Sequence, residues 1–331
     1  MKRNIKKFLF PAVAVAVLSF AACSDWTETE SLDINYPTLE EQNPELYKQY
    51  LKALRDYKAG EHKVVLVSMD NTTSAPAQRN EHLTTMPDSV DIICLMNPDN
   101  LHPTLAGEFA KVREKGTRVI YNIDYNAIEK LWEKVLADEE ANKPEEPTNP
   151  STPEATQDEG GEGGGEGEPT PEEELELRFL EFCRQQTVSQ LNLCAKYGYD
   201  GVQVNYTGRA PQAMQEEEKA QYAARQEAFF SNVKTWNEAN SGKVLVFQGN
   251  PQNLIDKSVL GECDYIVIPA LTATSADKMS FAVLMAAVED VPTDRFVIGV
   301  TTPSLTDLSD ESGYFLSLIH ISEPTRRTPI S

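Results

Sequence analysis

The fold is decided by one segment of the sequence, Tyr199-Asp200-Gly201-Val202-Gln203-Val204-Asn205-Tyr206-Thr207. Polar and apolar residues alternate along its second half, which is the pattern of a β-strand whose successive side chains point to opposite faces. Gln203, Asn205 and Thr207 therefore share one face. Three neutral hydrogen-bonding side chains on one face predict either a ligand site at the end of a strand or an ordinary half-exposed strand.

Six other segments have the composition of strands. Each is almost continuously apolar, which is typical of strands that are buried on both faces in a parallel sheet covered by helices. They comprise residues 63–70, 90–97, 117–124, 244–250, 265–270 and 295–301.

Helical patterns alternate with these strands. The apolar periodicity predicts helices over residues 39–58, 105–115, 127–136, 172–197, 212–239 and 276–288. Seven strand-and-helix units in succession favour an α/β fold, a TIM (β/α)8 barrel over residues 39–315 that is truncated after strand seven. A doubly wound open sheet is the alternative, although no glycine-rich phosphate loop follows the first strand.

The two ends of the chain have the composition of processing or artefactual segments. Residues 1–22 are a basic start followed by an apolar run, as in a signal peptide. Phe20-Ala21-Ala22-Cys23 resembles a bacterial lipoprotein cleavage box, so we expect a lipid on Cys23, a polar tether over residues 23–38 and an outer-membrane, cell-surface location. Residues 316–331 resemble an in-frame translation of a sequencing adapter, and we exclude them from the fold; a genuine C-terminal tail is the alternative.

An acidic insert divides the predicted barrel at residues 138–174. Its centre is rich in Pro, Gly and Glu and lacks large apolar residues, so it is predicted to be disordered. Residues 138–176 hold 15 acidic residues and one basic residue, which leaves the rest of the chain with only −8 of the net charge of −22. That mild charge argues against a nucleic-acid partner. The insert also lacks the spaced carboxylates and turn glycine of a calcium loop.

The cysteine and histidine residues predict no metal site and no cofactor. Cys94, Cys183, Cys194 and Cys263 are dispersed, so we expect buried apolar side chains, with one or two disulfides left open. No histidine outside the excluded tail stands at a predicted strand end, which argues against nucleophilic catalysis.

Ligand-binding candidates are the polar and aromatic residues at the carboxyl ends of the strands, where barrels of this type hold their sites. Amides outnumber carboxylates among them, and only Asp70 and Asp124 offer a carboxylate pair for hydrolysis. Trp132 is a further aromatic, but its helical position predicts packing instead. The candidates are Asp70, Asn97, Asn122, Asp124, Tyr125, Gln203, Asn205, Tyr206, Thr207, Gln248 and Asn250.

The segment that begins at Asp200 resembles the fourth-strand motif of glycoside hydrolase family 18, Asp-Gly-x-Asp-x-Asp-x-Glu. Asp200 and Gly201 match that motif, and the segment is also the fourth predicted strand. The resemblance implies a TIM barrel related to chitinases and endo-β-N-acetylglucosaminidases, with a glycan that contains N-acetylglucosamine as ligand. With its lipoprotein start, the chain is most similar to family 18-like lipoproteins of Bacteroidetes glycan-utilisation systems.

The departures from the motif remove its acids. Gln203 and Asn205 replace the second and third aspartates, and Thr207 replaces the glutamate. In the family that glutamate protonates the glycosidic oxygen, while the neighbouring aspartate orients the 2-acetamido group that attacks the anomeric carbon. A threonine hydroxyl is far too weak an acid for the first role, and amides cannot carry the negative charge of the second.

The sequence therefore predicts a surface lipoprotein that binds glycan without cleaving it and that works beside other glycan-utilisation lipoproteins. An active endo-β-N-acetylglucosaminidase or chitinase-like enzyme with a displaced acid such as Asp124 is the alternative. A structural lipoprotein with a vestigial cleft is the third possibility.

Overall fold

The computed structural model describes residues 37–71, 75–142 and 170–302, together with residues 307 and 309. The predicted signal peptide, most of the tether, the centre of the acidic insert and the C-terminal tail lie outside these residues. The chain divides into two compact units, residues 1–52 and 53–331. The described part of the first unit is a single turn, α1 (Leu39–Gln42), and the first half of α2 (Pro44–Ala59).

The second unit is built on a parallel sheet, and all seven predicted strands are found in it, each shortened at one or both ends. The short strands leave the polar residues that follow them in loops at one edge of the sheet. The strands are β1 (Leu66–Met69), β2 (Ile92–Leu95), β3 (Arg118–Asp124), β4 (Gly201–Tyr206), β5 (Val244–Gly249), β6 (Tyr265–Pro269) and β7 (Phe296–Gly299).

The order of the strands decides between the two predicted architectures. Each strand is hydrogen-bonded to the next one along the chain, from β1 to β7 without a reversal. A doubly wound sheet reverses its strand order at a switch point, so that alternative is wrong. A consecutive parallel order is that of a TIM-type barrel and confirms the predicted fold class. The described residues contain seven of the eight strands of a complete barrel.

Helices follow most of the strands, and the predicted helices are found with modest changes at their ends. None of the helices in the described part of the chain is long and apolar enough to cross a bilayer. The remaining helices are α3 (Pro103–Glu114), α4 (Tyr125–Ala141), α5 (Pro171–Tyr197), α6 (Glu216–Ala239), α7 (Ser258–Glu262) and α8 (Ala276–Ala286).

Both edges of the predicted acidic insert are helical, since α4 runs to Ala141 and α5 begins at Pro171, while residues 143–169 lie outside the described residues. At the start of α5, the Thr170 side chain accepts a hydrogen bond from the Glu173 backbone N–H, and the Glu173 carboxylate accepts one from the Thr170 backbone N–H. This reciprocal cap and the acidic first turn stabilise the helix end. The start of α5 thus agrees to within one residue with the helix predicted over residues 172–197.

The sheet carries an apolar layer on each side. The outer layer, between the sheet and the helices, includes Val202, Val204 and Tyr206 of β4. The smaller inner layer is contributed by β2, β3, β5 and β6, through Ile92, Cys94, Ile120, Val244, Val246 and Val267. Burial on both sides explains why the strands are almost continuously apolar.

The four cysteines of the described chain are buried and unbridged. The prediction that they are buried apolar side chains is confirmed, and the disulfides that their spacing left open do not form between them. Burial raises the pKa of the Cys183 thiol to about 11, so this thiol stays protonated at neutral pH.

Helices α4 and α5 pack against each other in opposite directions. The Trp132 ring of α4 lies 5.2 Å from the ring of Phe182, and Glu139, two turns further along α4, pairs with Arg178 at 2.7 Å. The contacts thus move backwards along α5 as they advance along α4. Trp132 packs inside this helix pair, as its helical position predicted.

Candidate functional site

The polar side chains of β3, β4 and β5 lie beside one another across the sheet. Asn122 is the register neighbour of Gln203, while Asp124, Asn205 and Gln248 are neighbours in the next layer. The sequence predicted that these five side chains meet at the carboxyl ends of the strands, and the register brings them together. We call these five residues the amide band.

Gln203 is the centre of the amide band. Its side chain is fully buried, and its Nε2 donates hydrogen bonds to Asn122 Oδ1 at 3.2 Å and to Gln248 Oε1 at 2.7 Å. Its Oε1 is buried and has no hydrogen-bond partner among the described residues. Because a buried acceptor without a donor costs about 1–3 kcal/mol, this oxygen favours a ligand or solvent group that donates a hydrogen bond.

Asp124 is the one carboxylate of the amide band. It accepts a hydrogen bond from the Asn126 backbone N–H at 3.0 Å and thereby caps α4. Burial raises the pKa of Asp124 above its ordinary value, although the hydrogen bonds from Asn126 and Asn205 and the nearby Lys130 act in the opposite direction. The environment therefore favours the protonated form of Asp124 more than water does.

Thr207 follows β4 and is exposed, with its hydroxyl accepting a hydrogen bond from Asn126 Nδ2 at 3.3 Å. Its carbonyl oxygen accepts from Asn250 Nδ2 at 3.1 Å and from Asn253 Nδ2 at 2.9 Å. These three asparagines fix the position that the motif assigns to the general acid. A neutral hydroxyl is what the chain presents there.

Gly249 allows the backbones of β4 and β5 to approach each other closely at their carboxyl ends. Its φ is 137°, and a Cβ on this residue would lie 1.9 Å from the carbonyl oxygen of Tyr206. Only glycine adopts such a backbone without strain. The close approach holds Asn250 near Thr207.

Asp70 and Asn97 form a second polar pair, at the ends of β1 and β2. Asn97 Nδ2 donates to Asp70 Oδ1 at 3.1 Å. Asn71 holds the backbone of Asn97 on both sides, donating to its carbonyl oxygen and accepting from its N–H, each at 2.8 Å. Both predicted residues are thus at the same edge of the sheet as the amide band.

A pocket of about 460 Å³ lies at the carboxyl ends of β2 and β3 and includes part of each polar group. Asn97, Asn122 and Asp124 line it from the sheet side, and Gln186 and Gln190 line it from α5. Its size is within the range of about 300–1,000 Å³ that is usual for small-ligand sites. Its lining is rich in amides, which both donate and accept hydrogen bonds.

Several residues of this site were not among the candidates predicted from the sequence. Asn71, Asn126 and Asn253 stand just after strands one, three and five, so extending the search by two or three residues beyond each strand end would have found them. Gln252, also after β5, has a buried side-chain oxygen without a partner among the described residues. Gln186 and Gln190 gave no signal, because they lie in the middle of a long helix.

Two predicted stacking residues, Tyr125 and Tyr206, must be corrected. Tyr206 is fully buried and Tyr125 is 3% exposed, and their rings pack against each other with centroids 4.9 Å apart. Tyr206 alternates to the outer face of β4, where its hydroxyl accepts a hydrogen bond from Gln226 Nε2 at 3.0 Å. Neither ring is available to stack on a sugar.

Asp200 lies at the amino end of β4, away from the amide band. Both of its carboxylate oxygens accept from Arg113 Nε at 3.0 Å, and one also accepts from the Val119 backbone N–H at 2.8 Å. The first aspartate of the motif is therefore a structural residue that ties β4 to α3 and β3.

The described residues contain no group of three or more His, Cys, Asp or Glu side chains arranged to hold a metal ion. The amide band has neither the thiolates and imidazoles that bind zinc nor the several carboxylates that bind calcium.

Comparison with known proteins places most of the chain in one family. The family described as glycoside hydrolase family 18, BT1044-like, matches residues 27–158 and 172–314. Comparison with curated proteins found no match.

Solved structures of low sequence identity also resemble the chain. They include a selenomethionine-labelled BT1044 variant, with 17% identity, a TM-score of 0.48 and coverage of 80% of this chain and 74% of that chain. A GH18 chitinase from Pseudoalteromonas aurantia has 12% identity, a TM-score of 0.43 and coverage of 78% and 86%. The glycoside hydrolase domain of PelA from Pseudomonas aeruginosa has 13% identity, a TM-score of 0.36 and coverage of 78% and 100%.

Proposed function

The chain belongs to glycoside hydrolase family 18, in its BT1044-like group, and from this membership we propose that it binds a glycan without hydrolysing it. The observation that carries the proposal is the occupant of the acid position. Thr207 stands there, exposed and held through its carbonyl oxygen by Asn250 and Asn253. Loss of a general acid alone lowers an enzymatic rate by about 10²–10⁴-fold.

The neighbouring positions support the same proposal. Gln203 is locked by hydrogen bonds to Asn122 and Gln248, so it is a rigid neutral group where the family has an aspartate. Asn205 is neutral as well. Substrate-assisted hydrolysis needs a carboxylate to stabilise the positive charge that develops on the acetamido group, and neither amide supplies that charge.

The geometry suits a sugar ligand that contains N-acetylglucosamine. Amides satisfy hydroxyl and acetamido groups in both directions, and the free Gln203 Oε1 accepts one donor from such a ligand. The 460 Å³ pocket beside the amide band offers room for one sugar residue and adds donors from Gln186 and Gln190.

An active enzyme with a displaced acid is the second candidate, and Asp124 is the observation in its favour. It is the register neighbour of Asn205, and burial raises its pKa towards the range of a general acid. Its carboxylate, however, caps α4 through the Asn126 N–H, which stabilises the ionised form.

A glycan array followed by calorimetry on the full chain tests the proposal. We expect binding of N-acetylglucosamine-containing glycans and no release of reducing ends. Release of reducing ends that Asp124→Asn abolishes would establish the displaced-acid enzyme instead, and absence of binding to every glycan would favour a purely structural protein.

A gain-of-function variant tests the alignment of the motif. We expect the triple variant Gln203→Asp, Asn205→Asp, Thr207→Glu to hydrolyse the bound glycan. The matched control carries Thr207→Gln with the same two aspartates, because glutamine has the shape of glutamate without its proton. Equal activity of the two triple variants would show that position 207 does not hold the acid.

We also propose that the protein is anchored to the outer membrane through a lipid on Cys23 and presents its glycan site beside other glycan-utilisation lipoproteins. The support is the sequence Phe20-Ala21-Ala22-Cys23 after the apolar run. Incorporation of labelled palmitate that disappears in Cys23→Ser is the expected result, and unchanged incorporation would contradict the anchor.

A further inference from the structure

A second cavity, of about 370 Å³, lies at the amino end of the sheet, opposite the amide band. We call it the amino-end cavity. Val64, Ile92 and Tyr265 contribute its apolar and aromatic surface. Its remaining lining is mainly charged, with Arg55, Lys58, His62, Asp91, Arg113, Arg118 and Asp200.

The positive charge of this cavity is unexpected in a chain whose net charge is −22. Four lining residues are lysine or arginine and two are aspartate, so the cavity carries a net positive charge before His62 is counted. Because the composition predicts the opposite sign, the concentration of cations at this place is a local feature of the fold.

The two aspartates are already satisfied by internal contacts. Asp91 accepts hydrogen bonds from His62 Nε2 at 2.9 Å and from the Val65 backbone N–H at 2.8 Å. Asp200 is occupied by Arg113 and by the Val119 N–H. Both carboxylates thus have hydrogen-bond partners within the fold, and neither forms an ion pair with Arg55, Lys58 or Arg118.

Arg55, Lys58 and Arg118 form no ion pair with any described residue. Arg55 donates one hydrogen bond to the Glu114 carbonyl oxygen at 2.6 Å, and Lys58 donates to the Val90 carbonyl oxygen at 2.6 Å and to Thr117 Oγ1 at 2.8 Å. These neutral partners hold the two cations in place without forming an ion pair with them. Burial lowers the pKa of Lys58, although the nearby carboxylates of Asp91 and Asp88 act in the opposite direction.

Arg118 is the cation that is most available to a ligand. It is exposed at the first position of β3, and its guanidinium makes neither a hydrogen bond nor an ion pair with a described residue. A guanidinium has five N–H donors in a planar fork that matches the oxygens of phosphate.

We propose that the amino-end cavity binds a phosphate monoester, with Arg55, Lys58 and Arg118 around the phosphate and the organic part against the Tyr265 ring. The negative charge of phosphate would pair with the three cations. The cavity is larger than phosphate alone requires. This site is separate from the proposed glycan site and lies at the opposite end of the sheet.

Calorimetry of the full chain in a low-salt buffer tests this site with inorganic phosphate and phenyl phosphate. We expect saturable binding of both, tighter for phenyl phosphate. Arg118→Gln is expected to weaken both about tenfold, since a charge-assisted hydrogen bond contributes about 1.5–3 kcal/mol. Tyr265→Leu is expected to weaken phenyl phosphate more than inorganic phosphate.

Arg184→Gln is the matched control, because Arg184 is an exposed arginine of α5 whose nearest carboxylate is 3.8 Å away. It removes the same charge at a different place and is expected to leave binding unchanged. Thermal unfolding confirms that each variant is folded, and Arg55→Gln replaces Arg118→Gln if the latter is not. The proposal is overturned if neither probe binds saturably, if the cavity variants bind like the parent chain, or if Arg184→Gln weakens binding equally.

Discussion

At the carboxyl end of the sheet, Gln203 is bonded to Asn122 and Gln248, whereas at the amino end Asp200 is bonded to Arg113 and to a backbone N–H. The first end is built mainly from neutral amides, with Asp124 as the one carboxylate of the amide band, and the second mainly from charged side chains. Burying an unpaired charge costs far more than burying an amide that keeps its hydrogen bonds. At the carboxyl end, Gln203, Asn205 and Thr207 are neutral where the family 18 motif has acids, whereas Asp200, the one acid of the motif that is kept, lies at the amino end.

The close approach of β4 and β5 at the carboxyl end gives the largest expected effect. Gly249→Ala places a Cβ against the Tyr206 carbonyl oxygen in a backbone conformation that alanine rarely adopts, so we expect a loss of about 3 kcal/mol or more in the free energy of unfolding. Urea denaturation measures it. Gly107→Ala in α3, where a Cβ meets nothing within 4 Å, is the control and should stabilise by about 0.5–1 kcal/mol. A loss in the free energy of unfolding well below about 3 kcal/mol in Gly249→Ala would contradict the close approach of β4 and β5.

Asp200→Asn tests whether the amino end of the sheet stabilises the fold while the carboxyl end binds glycan. It leaves Arg113 and the Val119 N–H without an anionic acceptor, and we expect about 1–2 kcal/mol of destabilisation in urea with glycan affinity unchanged. Glu181→Gln, which removes a surface pair at 3.8 Å, should cost less than about 0.5 kcal/mol. A large fall in glycan affinity in Asp200→Asn would break the separation of the two ends.

The converse test is Gln203→Leu. It leaves Asn122 Oδ1 and Gln248 Oε1 without their shared donor and removes the free Oε1, so we expect about a tenfold loss of glycan affinity and about 1 kcal/mol of stability. Calorimetry compares it with Gln221→Leu, an exposed glutamine of α6, which should bind normally. Unchanged affinity in Gln203→Leu would remove the amide band from the binding site.

The smallest expected effect is a pH dependence at the amino end. The hydrogen bond of His62 to the Gly60 carbonyl oxygen, and then that to Asp91, raise the pKa of His62 above 6.5 in the folded state. The stabilisation is therefore complete below the unfolded pKa of about 6.5 and is lost as the pH rises through the folded value. When the pH is raised from 6 to 8, the free energy of unfolding of the parent chain should fall more than that of the His62→Gln variant. Urea denaturation at both pH values measures this loss, and an equal loss of unfolding free energy in the two proteins would contradict the role of His62.

The regular elements were predictable from the sequence because their signals are local. The apolar run of residues 244–250 and the glycine after residue 197 mark a strand and a helix end that the structure reproduces at Val244–Gly249 and Tyr197. The alternation from Val202 onward likewise predicted that Gln203 and Asn205 share a face. The bounds of α4 were less predictable: the helix predicted over residues 127–136 runs from Tyr125, where the Asp124 side chain caps it, to Ala141.

Local patterns were sufficient to predict the order of the strands along the chain, the neutral residues of the motif and the family that the motif resembles. The tertiary structure alone decided that the strands pair in sequence order, that Asn122 and Gln248 meet Gln203, and that Tyr206 faces the helices. It also gathered Arg55, Lys58 and Arg118 from two separate elements into one cavity. The alternation of polar and apolar residues predicts which side chains share a face of a strand. Which elements cover that face, and which residues lie beside it across the sheet, depend on residues that are distant in the chain. No local pattern encodes the packing of those distant residues.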